Sequence, residues 1–536
     1  MSSSLLFDEE ARAKLITGVE KLAAAVKVTL GPMGKTVAIC RNGEVPHLTK
    51  DGVTVASSVF LEDAYENVGA SLVREAAQRS AAVAGDGTTT STVLASEIIH
   101  NGDKLLAAGH SVVDVLDGMR AAAEEVTKEL ESTRVTIGED ELINVATISA
   151  NGDRDLGEII SRAINRVGVD GAVSVQDAKG YDTTLTIVDG TYIDRGYESP
   201  YFVTDTAKQV AELDSPDVLV VNDELTVLAP LVPALERIAA SGGSLLIVCN
   251  GVSGEALQAL VLNRVKAGLK VCVIKSPEFA GARVTALQDL AALVGATVVT
   301  DAKQALKAEE LDEILGSVKK ATVTNRTTLL FGTQQNDDVQ SRAKSAREVL
   351  DDPAIGSDDK KIAERRLKRL SDGIAVIQVG GATEAEMFER RDRVDDALHA
   401  ARAALREGVQ PGGGVALARA KKRAAKQFKP KNSYGIGALA FLDALESPLR
   451  QIAENCGVSA DLVVQKINRV AVNFGYDGKN NRYGNMFELG ILDPHAVVVS
   501  AVEHSLSVAC NLLSIGCIIT EEFSSENNEI AYFNSI

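Results

Sequence analysis

Tryptophan is absent from this chain and aromatic residues of all kinds make up only 4% of it, so its cores are predicted to be aliphatic, built from Ala, Val and Leu. The same shortage leaves little with which to stack on nucleic-acid bases. Positive charge is also short. The formal net charge is −18, which repels phosphate backbones, and basic runs such as Lys421-Lys422-Arg423 are brief and isolated. No nucleic-acid partner is expected. The six cysteines, at 40, 249, 272, 456, 510 and 517, form no C-x-x-C pair and have no histidine at ligand spacing, which argues against zinc and predicts buried free thiols. No uninterrupted apolar run approaches the roughly 20 residues of a membrane span. Met1 to Glu10 is too briefly apolar for a signal peptide and too acidic for a transit peptide. A cytoplasmic setting without a membrane partner follows as an expectation. No fixed-period repeat or low-complexity tract is visible.

What is present is ordinary globular material, 45% apolar and 24% charged. At 536 residues the chain exceeds what one core of about 250–300 residues can organise, so two or three domains are predicted. Ala11, Leu15, Val19, Leu22 and Val26 recur at helical steps and stop at Leu30-Gly31-Pro32. Val37 to Cys40 and Val53 to Val55 read as short strands, Asn67 to Ala84 as a helix, and a further helix begins within Thr88 to Thr92. Helices continue to about residue 133, where the texture becomes mixed, with strands at Ala172 to Val175 and Thr184 to Val188. From about 189 to 374 strands such as Val218 to Val221, Ser244 to Val248 and Val271 to Ile274 alternate with helices, an α/β rhythm. Asp337 to Arg369 is charged, helical in period and broken at Asp351-Asp352-Pro353, as in a surface hairpin. The last third returns to Ala- and Leu-rich helices.

One loop offers phosphate chemistry. Gly85-Asp86-Gly87-Thr88-Thr89-Thr90 combines glycines with a helix start, whose unpaired N–H groups suit an anion, while Asp86 can hold Mg²⁺. A plain loop with a threonine cap explains it equally well. Gly34-Lys35-Thr36 imitates the end of a Walker A loop, but Thr29 stands where the first glycine belongs. A Rossmann pattern fails in the same way, with Thr90 at the third glycine's place. Thr29 to Pro32 is a tight turn, and Lys50-Asp51-Gly52 a charged turn before a strand. Gly412-Gly413-Gly414 opens a helix, either flexibly or to let backbone approach a ligand. Asp395 and Asp396 read as acids at a helix start, where capping is the simplest role.

Taken in order, Val26-Lys27-Val28-Thr29-Leu30-Gly31-Pro32, Thr49-Lys50-Asp51-Gly52-Val53, Ala84 to Thr90, Asp194-Arg195-Gly196-Tyr197, Asp396-Ala397-Leu398-His399-Ala400, Gly412 to Leu417 and Tyr483-Gly484-Asn485-Met486 resemble the motifs of the group I chaperonins, the 60-kilodalton ring-forming heat-shock proteins, over nearly the whole chain. The resemblance implies a multi-domain α and α/β fold. It comprises a mainly helical equatorial ATP-binding domain at 1–132 and 407–536, a small α/β intermediate hinge at 133–188 and 375–406, and an inserted α/β apical domain at 189–374. It implies ATP and Mg²⁺, with K⁺ beside Lys50 and Asp51. Position by position, Thr29, Leu30, Gly31 and Pro32 resemble the nucleotide-lining turn, Lys50, Asp51 and Gly52 the phosphate side, and Asp86 the Mg²⁺ ligand. Gly87, Thr88, Thr89 and Thr90 resemble the phosphate cradle; Gly412, Gly413, Gly414, Ile491 and Asp493 the adenosine side; Ile148 and Tyr476 the rest of the pocket. Asp396, with Asp51, would be catalytic, entering the site when the subunit closes over ATP.

The helix around Ala256 to Val265 is apolar on more than one side, the mark of a second core contact or of an exposed patch. The resemblance implies exposure of Leu257, Val261 and Leu262, with Tyr197, Tyr201, Phe202, Val232 and Leu235 on the same rim, as a surface for unfolded or partly folded proteins. It also implies a homo-oligomeric ring of seven subunits and a co-chaperonin lid. The chain departs from the family at Pro277 to Arg283, at Val458-Ser459 where acids often meet Arg450 across two rings, and in lacking a glycine-methionine tail. A small-molecule phosphotransferase and a nucleotide-independent holdase are the rival classes.

Overall fold

The computed structural model describes residues 3–40, 46–84, 86–169, 171–178, 180–206, 208–278, 280–301, 306–351, 355–371, 373–470 and 472–521. Gly85 of the phosphate-loop motif, Phe279 of the divergent apical motif and Asp352-Pro353 of the hairpin break lie outside them. The chain folds as two compact units, one of residues 1–162, 177–184 and 379–536, the other of 163–176 and 185–378.

The first unit is helical. Its Asp8–Lys27 helix buries Ala11, Leu15, Val19, Leu22 and Val26, the stripe visible in the sequence, with acids in its first turn and Lys27 in its last, each favoured by the helix dipole. It crosses the Ala64–Ala84 helix closely at two glycines: a Cβ on Gly18 would lie 1.8 Å from the Glu66 carbonyl oxygen, and one on Gly69 2.0 Å from that of Leu15. The His495–Leu513 helix is long and apolar enough to cross a membrane, but most of it is buried, and it serves as a core helix here. Among the described residues, Phe441 is the only aromatic side chain in the main buried cluster of this unit; the rest are aliphatic apart from Met119 and Cys510. Strands Ser3–Phe7 and Cys517–Glu521 pair antiparallel, joining segments more than 500 residues apart in the chain.

Two readings are corrected in this unit. Val53 to Val55 belong to a helix, Gly52–Ser58, and not to a strand: the Asp51 carboxylate accepts from the backbone N–H groups of Val53 at 3.0 Å and Thr54 at 2.7 Å, and this cap outweighs the β-branched propensity. Asp395 and Asp396 lie in the middle of the Glu384–Glu407 helix, whose cap is Thr383. Its early turns are sustained by Glu386–Arg390 and Glu389–Arg393 pairs at i,i+4 spacing, which an apolar-period reading does not register.

The second unit is α/β. Strands Asp217–Val220, Ser244–Cys249 and Lys270–Lys275 run parallel, and Gly316–Ser317 adds an antiparallel edge. Ser244–Cys249 is buried along its whole length, as expected of a central strand covered on both faces. A second sheet orders Gly190–Ile193, Thr328–Phe331, Lys320–Val323 and Ala211–Asp214 antiparallel. The chain passes into and out of the unit through Val173–Asp177, Thr184–Val188 and Ile374–Val379, hydrogen-bonded with the last in the middle. Cys249, Cys272 and Cys510 are buried thiols as predicted, but Cys456 is half-buried and Cys40 and Cys517 are exposed, the one just after the short strand Val37–Ile39 and the other at the start of Cys517–Glu521.

The predicted hairpin forms from Asp337–Asp351 and Ser357–Ser371 and is fastened to the Ala280–Val294 helix by a buried charge. Asp289, 1% exposed, accepts from Arg366 Nε at 2.7 Å and Nη2 at 3.1 Å, with Arg342 Nη1 at 3.4 Å. Removing one partner of such a cluster strands the others. Asp289→Ala is expected to destabilise this unit by roughly 3–5 kcal/mol, read by urea unfolding of the full chain; a loss below about 1 kcal/mol, as for a surface pair, would contradict it.

Candidate active site

A cleft of about 430 Å³ opens in the first unit, lined by helix ends and faces together with several glycine-bearing turns. The turn Thr29–Pro32 follows the first long helix, with Gly31 at φ 83° against Ile452. Asn455 pins it by donating from Nδ2 to the carbonyls of Lys27 at 3.0 Å and Leu30 at 2.8 Å. Asp51 is held in place by the helix it caps. The next residue, Gly52, approaches Thr89 so closely that a Cβ would lie 2.3 Å from Thr89 Oγ1.

Gly87, at φ 86°, starts the Thr88–Ala107 helix with no side-chain cap, so the first N–H groups of a 20-residue helix face the cleft at Thr88, Thr89 and Thr90. That arrangement suits an anion. Asp86 precedes it, accepting from Ser149 Oγ at 3.0 Å and from the Gly87 N–H. On the opposite wall, Gly413 and Gly414 have φ of 66° and 77°, and a Cβ on Gly414 would lie 2.8 Å from Leu449 N. Asp493 accepts from the Gly413 N–H, and Gly412 abuts its carboxylate. Ile148, Tyr476 and Ile491 complete the lining, the Tyr476 hydroxyl donating to Asn481 Oδ1 at 3.0 Å.

Asp396 lines this same cleft, so the structure brings together Thr29 to Pro32, Lys50, Asp51, Gly52, Asp86 to Thr90, Ile148, Gly413, Gly414, Tyr476, Ile491, Asp493 and Asp396, with Gly412 immediately behind. Sequence reasoning missed Ser149, Asn144, the Asp477 to Asn480 loop and Asp392. Only Asp392 carried a signal, since it precedes Asp396 by one helical turn and shares its face.

Acidic charge is concentrated here. Burial pushes the Asp86 carboxyl up, helped by Asp51 and opposed by the Gly87 and Ser149 hydrogen bonds. Asp396 is raised well above the carboxylate range by burial, then by Asp86, Asp51, Asp392 and Asp395. Burial carries Asp392 and Asp395 each to about 6 and Asp493 to about 7. Although Asp86, Asp392, Asp396 and Asp493 keep some surface open to the cleft, and Asp395 does not line it, protein encloses each of them on most sides, and the raised values follow from that enclosure.

Lys50, Arg154, Arg393, Lys479 and Arg482 line the same cleft and supply part of the counter-charge. Among the described residues no three ligating side chains converge as a ready-made metal site, so a divalent ion would be held by Asp86 and completed by ligand oxygens and water, the usual manner of Mg²⁺. Asp51 suits a monovalent ion less well, because Val53 N, Thr54 N and Thr54 Oγ1 already occupy its oxygens.

In the second unit, Tyr201 and Leu262 are 67% and 51% exposed, and Tyr197, Val232, Leu257 and Val261 are half-buried. Phe202 and Leu235 do not belong to an exposed rim. The one-turn helix Pro200–Phe202 turns the Phe202 ring fully into the core and leaves Tyr201 outside, while Leu235 shares the inner face of its helix with Ala234 and Ile238.

The raised carboxyls have a measurable consequence. A group raised in the folded state contributes stability that is complete below its unfolded value, near 3.8, and is lost as pH rises through about 6. Asp395→Asn, which removes a buried acid not facing the cleft, should therefore leave stability at about pH 4 nearly unchanged and raise it by up to roughly 3 kcal/mol at about pH 7.5. Denaturant titrations of nucleotide-free protein at the two pH values check this; equal shifts at both would refute it.

A model of the TCP-1/cpn60 chaperonin family matches residues 22–522. Among solved structures, chaperonin gp146 from the bacteriophage EL 2 (Pseudomonas aeruginosa), determined in the presence of ATP-BeFx, superposes in two crystal forms with TM-scores of 0.68 and 0.64. In both cases the identity is 22%, covering 97% of this chain and 99% of that one, a likeness of fold. With a family match across nearly its whole length, and with the fold and motif order that a divergent group I member would have, the chain belongs to the TCP-1/cpn60 chaperonin family.

Proposed function

We propose that this chain is an ATP-driven folding machine: it binds and hydrolyses ATP in the cleft of the first unit and uses the outer apolar face of the second to capture non-native proteins. One observation carries the reading. An open helix N-terminus, three glycine turns and the acids Asp86, Asp51 and Asp396 meet in one cleft, which suits a polyphosphate and its hydrolysis.

In this reading the N–H groups at Thr88 to Thr90 and the Thr89 and Thr90 hydroxyls hold phosphate oxygens, and Lys50 adds positive charge. A Mg²⁺ ion held by Asp86 supplies charge neutralisation for the phosphates. Ser149 keeps the Asp86 carboxylate aimed into the cleft. Asp396 accepts the proton of the attacking water, a role suited to a carboxylate whose affinity for protons burial has raised. Asp51 sets the field in which Asp396 titrates and fixes Gly52 against Thr89. Asp493 and the Gly412 to Gly414 turn receive the nucleoside end. K⁺ would enter near Lys50 and Asp51 as a counter-ion to the phosphates, since the Asp51 oxygens are already engaged by Val53 N, Thr54 N and Thr54 Oγ1.

Capture is assigned to Tyr201 and Leu262, with Tyr197, Val232, Leu257 and Val261 supplying partly covered surface. Apolar burial of this kind is indifferent to client sequence. A homo-oligomeric ring of seven subunits, a co-chaperonin lid competing for this face, and a cytoplasmic setting complete the proposal.

Two variants test its halves. Asp396→Ala should bind ATP within about threefold of wild type yet lose turnover by about 100-fold, and with it ATP-dependent refolding of an aggregation-prone client; normal phosphate release would defeat the assignment. Leu262→Ser should keep ATP turnover but capture less denatured client in a sedimentation assay. Undiminished capture would remove Leu262 from the surface, and phosphate transfer to a small metabolite would favour the rival enzyme class.

A further inference from the structure

The residue after Asp493-Pro494 is a histidine buried in a polar network. His495 is 4% exposed and Gln410 1% exposed. Gln410 Nε2 lies 2.5 Å from the Leu130 carbonyl oxygen, which can only accept, so the amide group there must be its NH₂. Its Oε1 accepts from Thr133 Oγ1 at 3.3 Å. The second amide hydrogen points at His495 Nδ1, 3.1 Å away, and Nδ1 must therefore present a lone pair. The ring proton is left on Nε2, which faces Glu131 Oε2 at 3.0 Å. The network thus selects one neutral tautomer of the ring.

Three elements meet at this ring: the end of the Val112–Thr133 helix, the strand Val409–Pro411 and the start of the His495–Leu513 helix. The strand pairs with Leu492–Pro494 so that Gln410 stands opposite Asp493, and the His495 N–H donates to the Gly408 carbonyl at 2.9 Å. Gly412, whose Cβ would meet Asp493, follows Gln410 by two residues. A shift of Gln410 therefore moves both the carboxylate and the glycine turn that form the nucleoside end of the cleft.

We infer that His495 is a positioning residue for nucleotide binding: in its neutral Nε2–H form it locks Gln410, and through Gln410 the strand pair that presents Asp493 and Gly412–Gly413 to the ligand. Protonation would set N–H against N–H at Nδ1 and leave a buried donor unpaired. Glu131 pulls the other way, favouring the charged ring, but it is half exposed and shared with Arg134 at 2.9 Å. Asp493, also titratable, stands two residues away. The device rests on the nucleotide reading of the cleft and adds a residue and a pH dependence to it.

Isosteres separate this role from general packing. Asparagine places an acceptor oxygen where Nδ1 stands, whereas glutamine reaches toward Glu131 and offers Gln410 nothing. ADP binding by calorimetry at about pH 8 should stay within about threefold of wild type in His495→Asn and weaken about tenfold in His495→Gln, with kcat at saturating ATP little changed. On moving to about pH 5.5, wild type should lose affinity relative to His495→Asn; Asp493 titrates in both, so their ratio isolates the imidazole. Equal impairment of the two variants, or a ratio flat with pH, overturns the inference while leaving the nucleotide reading intact. If His495→Gln fails to fold, the pH ratio between wild type and His495→Asn decides alone. Wild type that binds no ADP at all would bring down both.

Discussion

The constraint on which this molecule turns is the confinement of negative charge. Asp86, Asp396, Asp392 and Asp493 are held in or beside one cleft by protein that solvates them poorly, and each is pushed toward its protonated form. Folding alone gains nothing from that crowding. In the proposed nucleotide reading, a ligand arriving with cations would exchange those protons for counter-charge. The uncapped helix start at Gly87 works in the same direction, leaving N–H groups of the Thr88–Ala107 helix for an anion.

Glycine makes this crowding geometrically possible. Gly52 brings the capped helix of Asp51 against Thr89, and Gly414 brings one strand-to-helix turn against the backbone of Leu449, at separations that a Cβ would forbid. The walls of the cleft therefore combine close-packed peptide groups with acids and with the basic side chains Lys50, Arg154, Arg393, Lys479 and Arg482. Hydrogen bonds brace these walls from behind, Asn455 on the Thr29 turn and Gln410 with His495 beside Asp493. The second unit follows different physics: a parallel sheet buried on both faces, an ionic fastening at Asp289, and an outer helix on which Leu262 has no cover.

Much of this was legible in the chain. The 3.6-residue stripe of Ala11 to Val26, the alternation of strand and helix after residue 189 and the order of the glycine motifs follow from local periodicity and turn chemistry, which operate over a few residues and leave their mark in any single sequence. The misread elements share a cause. Val53 to Val55 look like a strand until the Asp51 cap is seen, and Asp396 looks like a helix start until the i,i+4 ion pairs upstream are counted. The family resemblance sets Phe202 and Leu235 on the exposed rim, whereas both pack into the core, and Leu262 shows that the neighbouring fold decides whether an apolar residue's preference for burial is met.

By itself, then, the sequence determined which short segments would turn, cap and coil, and which residue types were on hand for phosphate chemistry. Tertiary structure alone decided that Asp396, more than 300 positions from Asp86, would share its field, that Ser149 would orient that acid, and that His495 would find Gln410 and Glu131. The physical reason is range. Propensity and capping act between neighbours along the chain, whereas burial, desolvation and the coupling of charges act between neighbours in space, and only a packed fold settles which residues those are.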